Sequence, residues 1–326
     1  MLLDGTDPAA VQRAAELLAA GELVAIPTET VYGLAARADD DAAVAKIYAA
    51  KGRPTGHPLI VHVAAPDESA AFATDVPAVA QRLMRAFWPG PMTLILPRAA
   101  GKGDAAAAGQ GTIGLRCPSH PVARALLGAA RQLGVPGLAA PSANRFGRIS
   151  PTRAAHVIDE FGDTLAVLDG GACEIGIESS IVDCSRGHPV LLRPGVLTHA
   201  RIEAAAGEPL RAPDADAPRA SGTLAAHYAP NAKLRLMSQQ MLTSALQLLG
   251  DQPLKLAVYS RSVPLGAAKG VRHRRMPLLP DQAAHELFSV LRELDAEGAQ
   301  LIWVEEPPVD PAWDGVRDRL LRAAAS

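Results

Sequence analysis

Between Pro27 and Val63 the chain reads PTETVYGL, then a helix-like stretch, then KGRPTGHPLIVHV. Thr28, Glu29 and Thr30 close one strand-like run, and Lys51 and Arg53 stand just before the next. Hydroxyls and fixed positive charge come together there without a nucleophile or a metal-ligand set, which suits an anionic, phosphorylated ligand better than it suits hydrolysis. A flexible ammonium and a planar guanidinium two residues apart can grip different oxygens of one phosphate chain. The same pair also fits an exposed helix C-terminus, where cations complement the dipole. Arg116 ends a further strand-like run before Cys117 and Pro118. At a strand terminus it would meet a carboxylate or phosphate in a cleft, or else lie in solvent at an edge.

Downstream, Ser142 and Asn144 in APSANRFGRISPT offer a hydroxyl and an amide, with Ser150 beyond them; both types also cap turns for their own local hydrogen bonds. GIESS places Ser179 and Ser180 at a strand entrance, and LRPG places Arg193 at a strand end. No GxSxG and no readable Ser, His, Asp set accompanies them. His62, in VHV, has the setting of a satisfied core histidine. Neither GxxxxGK[ST] nor a GxGxxG after a strand occurs, so any nucleotide must be held mainly by side chains.

The elements that position these residues follow from pattern. Asp7, Pro8 and the closing Gly21 bracket a helix, and Leu23 to Ile26 reads as a buried strand. Asp39 to Asp41 begin a second helix whose apolar face is Val44, Ile47 and Tyr48, stopped by Gly52 and Pro54. Strands are expected at Leu59–Val63, Met92–Leu96, Thr112–Leu115, Gly137–Ala140, Leu165–Leu168, Ser180–Val182 and Val190–Leu192, with helices at Val79–Phe87 and Pro121–Leu133. This mixture predicts an α/β fold with a twisted mixed sheet. Lys102 to Gly111 is low in complexity and reads as a surface loop. Residues 207–230 are rich in Pro, Ala, Asp and Gly and read as a linker or lid between a domain at 1–206 and a small doubly wound, Rossmann-like domain at 231–326. In the latter, strands are expected at Leu234–Met237, Leu254–Tyr259 and Ala299–Val304, and helices at Gln239–Leu249, Gln282–Glu297 and Pro311–Ala324.

Composition bounds the rest. With 326 residues and 48% hydrophobic content, the chain can bury two cores. A formal charge of -2 exerts no global pull on nucleic acid or anionic membrane, so a polyanion site must be local. Only six of the 32 basic residues are lysines, so a lysine at a given position is more informative than an arginine. Three cysteines, Cys117, Cys173 and Cys184, form no CxxC pair, which argues against a disulfide framework or a zinc site. No apolar run reaches membrane-spanning length, and no export signal is visible at MLLDGTDPAA, so the expected compartment is the cytoplasm.

The ordered set PTETVYGL, KGRP, PLIVHV, TIGLR, APSAN, GIESSIVD, LRPG and HYAP resembles the YrdC-like family of threonylcarbamoyl-AMP synthases, over most of residues 21–230. The family's KxR pair with a distant SxN matches Lys51, Arg53, Ser142 and Asn144, and the second domain is similar to that of the long, two-domain members. The resemblance implies a YrdC-like fold for the first domain and a reaction in which L-threonine, bicarbonate and ATP give threonylcarbamoyl-AMP and pyrophosphate. It further implies Mg2+ carried by ATP with no protein-held metal, downstream threonylcarbamoyl transfer machinery that modifies tRNA, and leaves direct contact with tRNA open. By motif, Thr30, His62, Arg116, Ala140 and Ser179 fall on threonine. Arg53, His57, Thr112, Ser142, Ser150, Arg193 and Tyr228 fall on the nucleotide, with Lys51 near its phosphates. Two departures stand out: His57 takes the place of a more usual Asn, and ASGTLAAHYAP replaces a longer SPGMKYRHYAP-like stretch.

Two other readings were weighed. A double-stranded RNA binder would use a basic concave face, yet the charge is near neutral and the cations alternate with small hydroxyl residues, not with stacking aromatics. A carbamoyl-transfer domain of the hydrogenase-maturation type would bring acylphosphatase and zinc-finger cysteine motifs, which this sequence lacks.

Overall fold

The computed structural model describes residues 1–249, 255–264 and 271–326. The chain forms two compact units, one of residues 1–146 with 150–223 and one of 147–149 with 224–326.

In the first unit, strands β1 (Leu2–Asp4), β2 (Val24–Ile26), β3 (Gly33–Arg37), β4 (Ile60–His62), β5 (Met92–Pro97), β6 (Thr112–Arg116), β7 (Leu138–Ala139), β8 (Ala166–Asp169), β9 (Ser180–Asp183) and β10 (Val190–Arg193) form one sheet in the order β1-β8-β2-β3-β7-β4-β6-β5-β9-β10. Parallel pairs such as β4 with β6 alternate with antiparallel ones such as β5 with β6, so the sheet is mixed as the pattern predicted. Helices α1 (Pro8–Ala19), α2 (Asp41–Lys51), α3 (Ala78–Phe87), α4 (Asp104–Ala107), α5 (Pro121–Gln132), α6 (Ala154–Phe161) and α7 (His199–Ala206) complete it. Asp7 and Asp40 cap α1 and α2 through their carboxylates. Gly52, with φ of 63°, ends α2 in the left-handed conformation that glycine adopts without a Cβ penalty, turning the chain between Lys51 and Arg53.

Several features differ from expectation, the edge strand β1 among them. The Lys102–Gly111 stretch holds the short α4, whose Ala106 and Ala107 are buried; Leu59 N–H donates to the Ala106 carbonyl at 2.7 Å. An alanine run favours helix wherever a packing surface is offered. Helices α6 and α7 arise in stretches that carried no helix assignment, and β3 begins at Gly33, inside the PTETVYGL motif, as a strand of its own. Residues 207–223 belong to the first unit, with Leu210 and Ala220 buried.

The second unit holds β11 (Lys233–Met237), β12 (Leu256–Ser260), β13 (Arg272–Arg275) and β14 (Leu301–Glu305) as an all-parallel sheet in the order β11-β14-β12-β13. Its helices are α8 (Gln239–Leu249), α9 (Pro280–Ala296) and α10 (Asp314–Ala324). Every residue of the central β12 is buried, as a strand covered on both faces requires. Leu256 and Val258 pack with Leu242 and Leu246 of α8, while Tyr259 donates from the other face to Glu286 of α9 at 2.8 Å. This is the expected doubly wound arrangement; the expected strand start at Leu254 lies outside the described residues. Among the described residues no helix is long and apolar enough to cross a membrane.

Candidate active site

Strand alternation explains why scattered motifs meet. In register, Ala139, Val61, Leu115 and Leu94 lie side by side, and their side chains enter the main core. The residues between them face the other way. His62 lies beside Arg116, Ile60 beside Gly114, Ile95 beside Gly114, Thr93 beside Ile181, and Ile181 beside Arg193. Ala140 joins the same row through its N–H to the Ile60 carbonyl at 2.9 Å. One face of the β7-β4-β6-β5-β9-β10 segment thus carries an apolar floor of Ile60, Ile95 and Ile181 bordered by polar groups. Above it opens a shallow recess walled by Thr93, Gln110, Thr112 and Arg219–Ser221.

At one end Arg116 is buried, with a close ion pair from Nη2 to Glu29 Oε1 at 2.7 Å and a hydrogen bond from Nη1 to Thr30 Oγ1 at 2.8 Å. The carboxylate that Arg116 was expected to meet in a ligand is supplied here by the chain itself. Burial pushes the Glu29 carboxyl up, but the Arg116 charge and contact, together with the Glu29 and Ser119 N–H groups, outweigh it and hold Glu29 below the usual range, so it stays ionised. Thr28 Oγ1 shares a hydrogen bond with Thr30 Oγ1 at 2.9 Å and donates to the Val31 carbonyl at 2.6 Å, fixing the turn that carries Glu29. Ile175 and Gly176 donate their N–H groups to the Glu29 and Thr30 carbonyls, which brings GIESS beside the TET turn.

His62 is buried, and burial reinforced by Arg116 pushes it down to about 3. It is therefore neutral at physiological pH. Its folded value lies below the unfolded one, so the unfolded state binds more protons between the two, and stability is present above about 6.5 and lost as pH falls toward 3. This residue alone should make the protein about 2 kcal/mol less stable at pH 5 than at pH 7. Urea denaturation of the His62→Gln variant should lose that share of the acid sensitivity; an unchanged pH 5 to pH 7 difference would contradict it.

At the other end Arg193, also buried, donates from Nε to the Ser179 carbonyl at 3.1 Å, from Nη2 to Ser179 Oγ at 3.2 Å and from Nη1 to the Ser221 carbonyl at 2.9 Å. Ser179 Oγ in turn shares a hydrogen bond with Thr93 Oγ1 at 2.8 Å. Arg53 donates from Nη2 to the Pro58 carbonyl at 3.0 Å and to Ser221 Oγ at 3.3 Å, and its guanidinium lies 5.6 Å from the Phe146 ring centroid. His57 is near the same ring; burial, Arg53 and Arg219 lower its pKa, so it too is neutral. Ser221 thus bridges two guanidinium groups that the sequence placed on a nucleotide.

Lys51 sits inside the protein. Its Nζ donates to the Ser142 carbonyl at 2.6 Å and to the Asn144 carbonyl, and Phe146 N–H returns to the Lys51 carbonyl at 2.8 Å. Burial, with Arg53 adding to it, pushes Lys51 well below the ordinary lysine range. The exposed helix end considered from sequence is not what forms: the lysine ties the KxR turn to the SxN loop. Ser150 Oγ donates to Glu178, a buried carboxylate two residues from Ser180.

Most of the sequence-derived residues, namely Thr30, Arg53, His57, His62, Thr112, Arg116, Ala140, Ser142, Asn144, Ser150, Ser179 and Arg193, lie in the first unit with Lys51. Tyr228 lies in the second, its ring stacked on Phe288 at 5.4 Å and under the Arg319 guanidinium at 5.5 Å. Glu29, Thr93, Glu178 and Ser221 received no role from sequence. Thr93 carried a signal, being the one polar side chain in the apolar run MTLILP.

With this geometry in view, the similarities to known proteins become specific. Residues 16–195 match the Sua5/YciO/YrdC family model, described as telomere recombination, and 197–325 match that of the threonylcarbamoyl-AMP synthase C-terminal domain. The chain belongs to the threonylcarbamoyl-AMP synthase family. It is 38% identical to the threonylcarbamoyl-AMP synthase of Bacillus subtilis over 99% of this chain and 94% of that one. It is 34% identical to the Pyrococcus abyssi threonylcarbamoyl-AMP synthase over 96% and 94%. The solved structure of P. abyssi Sua5 complexed with L-threonine superposes with a TM-score of 0.86 and 33% identity, covering 98% of this chain and 95% of that one. Family membership therefore extends over both units, and its members are nucleotidyltransferase-type enzymes.

Proposed function

We propose that the cleft of the first unit makes threonylcarbamoyl-AMP from L-threonine, bicarbonate and ATP, releasing pyrophosphate. The observation that carries this reading is one sheet face that bears His62 and Arg116, the latter bonded to Glu29 and Thr30, and Thr93 and Arg193, both bonded to Ser179, beside a recess that Thr93 helps to line. That the P. abyssi relative was solved in complex with L-threonine supports threonine as the amino acid substrate. Threonine would take the Arg116 end, with Thr30, His62 and Ala140 around it and Ser179, held by Arg193 and Thr93, meeting it from the other side. The base would lie over the apolar floor near Thr112, with Arg53, Arg193 and the neighbouring His57, Ser142, Ser150 and Asn144 around ribose and phosphates. Lys51 would act by holding the SxN loop.

The chemistry needs no protein nucleophile. Bicarbonate gives up water to become carbon dioxide; the threonine amine, freed of its ammonium proton, adds to that carbon and releases a further proton to leave a carbamate, whose oxygen attacks the α-phosphorus as pyrophosphate leaves. Mg2+ enters as part of the ATP substrate. The protein's share is positioning, together with the guanidinium charge of Arg53 and Arg193 set against charge that grows on the phosphates. Buried hydroxyls near Arg116 favour threonine over valine, because a donor left unpaired there is costly. Residues 207–230 would serve as a lid, with Ser221 exchanging its hold on Arg53 and Arg193 for the nucleotide. The product would pass to threonylcarbamoyl transfer machinery acting on tRNA, in the cytoplasm.

The RNA-binding alternative is disfavoured by burial: Lys51, Arg53, Arg116 and Arg193 are between 3% and 7% exposed and face inward, whereas phosphate-backbone binding uses accessible cations. Incubation with ATP, Mg2+, bicarbonate and labelled threonine should yield labelled threonylcarbamoyl adenylate and pyrophosphate in equal amounts. Pyrophosphate release that ignores the omission of threonine, or no product from folded protein, would sink the assignment.

A further inference from the structure

We propose that Glu29 is the acceptor for the α-ammonium group of the amino acid substrate, so that Glu29 and Arg116 together form a subsite for a zwitterion. The proposal rests on the reading of this cleft as a threonine site and adds to it a residue with no assigned role.

Charge comes first. Arg116 spends its Nη2 on Glu29, its Nη1 on Thr30 and its Nε on the Gly90 carbonyl at 3.3 Å, so the cluster is close to neutral before any ligand arrives. A lone buried guanidinium would draw any carboxylate. A neutral pair instead suits a ligand that brings one charge of each sign, because neither protein charge is left uncompensated when the pair opens to admit it.

Hydrogen-bonding capacity comes second. Glu29 is 2% exposed, and neither of its oxygens makes a well-aligned hydrogen bond among the described residues. The N–H groups of Glu29 itself and Ser119 face the carboxylate, and the Arg116 contact is a close ion pair. An ionised carboxylate has about four acceptor sites, and leaving them unfilled in a buried position is costly, so such a group calls for a strong donor. An ammonium supplies three N–H bonds and the complementary charge.

The neighbours do not compete for that role. His62 is neutral and lies beside Arg116 in the sheet. His120 is buried, its Nδ1 taken up by the Val122 N–H, and it is held neutral by burial. Among the acidic residues, Glu29 is the one whose carboxylate touches Arg116.

The alternative is that Glu29 only orients Arg116. Two ligands separate the two roles: L-threonine, and (R)-3-hydroxybutanoate, which keeps the carboxylate and hydroxyl but lacks the ammonium. Titration calorimetry on the full chain should show wild type preferring threonine by at least ~30-fold. Glu29→Gln should lose at least ~30-fold for threonine while 3-hydroxybutanoate stays within about threefold, and Glu29→Asp should retain part of the threonine affinity. Equal losses for both ligands would overturn the proposal in favour of simple orientation. Equal affinity of wild type for both ligands would overturn it whether or not the variant folds. Wild type that makes threonylcarbamoyl adenylate yet shows no preference for the ammonium would refute this inference alone; wild type that makes none refutes the function beneath it.

Discussion

Arg116→Ala is expected to cost more than any other single change in the amino-acid end of the cleft. It leaves Glu29 ionised and buried with no counter-charge, and breaking one partner of a buried pair destabilises by about 3–5 kcal/mol. It also frees Thr30 Oγ1 and the Gly90 carbonyl of their donor. Urea denaturation should show that loss directly. In pyrophosphate-release kinetics the apparent KM for threonine should rise at least ~100-fold, while ATP binding to whatever remains folded should stay within about threefold. The reverse pattern, with ATP lost and threonine kept, would show that the two ends of the recess have been assigned the wrong way round. Combining Arg116→Ala with Glu29→Gln removes the stranded charge, so the double variant should recover part of the stability but none of the threonine affinity.

Lys51→Met is expected to lower turnover by at least ~100-fold, although this side chain does not reach into the recess by any contact seen. Its ammonium holds the Ser142 and Asn144 carbonyls, and its own carbonyl holds Phe146 N–H, against whose ring Arg53 rests. Removing it withdraws one donor from the buried Asn144 carbonyl and one from the half-buried Ser142 carbonyl, which keeps the Asn144 N–H, a loss of about 1–3 kcal/mol, and lets the SxN loop drift from the Arg53 turn. Misplacing substrate-positioning groups by about 1 Å is enough for a ~100-fold effect. Lys51→Arg should not restore activity, because a planar fork cannot replace a compact ammonium donating to two converging carbonyls. Turnover within threefold of wild type in Lys51→Met would show that the loop is held in place without the lysine.

The fold was legible where local chemistry decides. Asp7 and Asp40 as caps, Gly52 as a left-handed stop, and the apolar runs that became β4, β5, β6 and β12 are each specified by a few neighbouring residues. The helix α4 escaped because GKGDAAAAGQG has turn residues at both ends and no apolar face until Ala106 and Ala107 find one against Leu59. The short β3 escaped because GLAAR, as a sequence, is as compatible with a turn or a helix start as with a strand; its pairing with β2 and β7 settles it.

The site divides along the same line. The residue types, their order and the resemblance they carry came from the sequence alone: hydroxyls at Thr28 and Thr30, cations at Lys51, Arg53, Arg116 and Arg193, and the SxN of Ser142 and Asn144. Which of them bear on one another did not. The pairing of Arg116 with Glu29, the burial of Lys51 beneath the SxN loop, and the bridge from Ser221 to both Arg53 and Arg193 join residues 28 to 168 positions apart or depend on strand register. Register is set by non-local packing of both faces of a sheet at once, and a shift of one residue would send His62 and Arg116 into the core and Val61 and Leu115 into the recess. Sequence therefore determined what chemistry this protein carries, and the tertiary structure decided which charges are neutralised within the fold and which are left to meet a ligand.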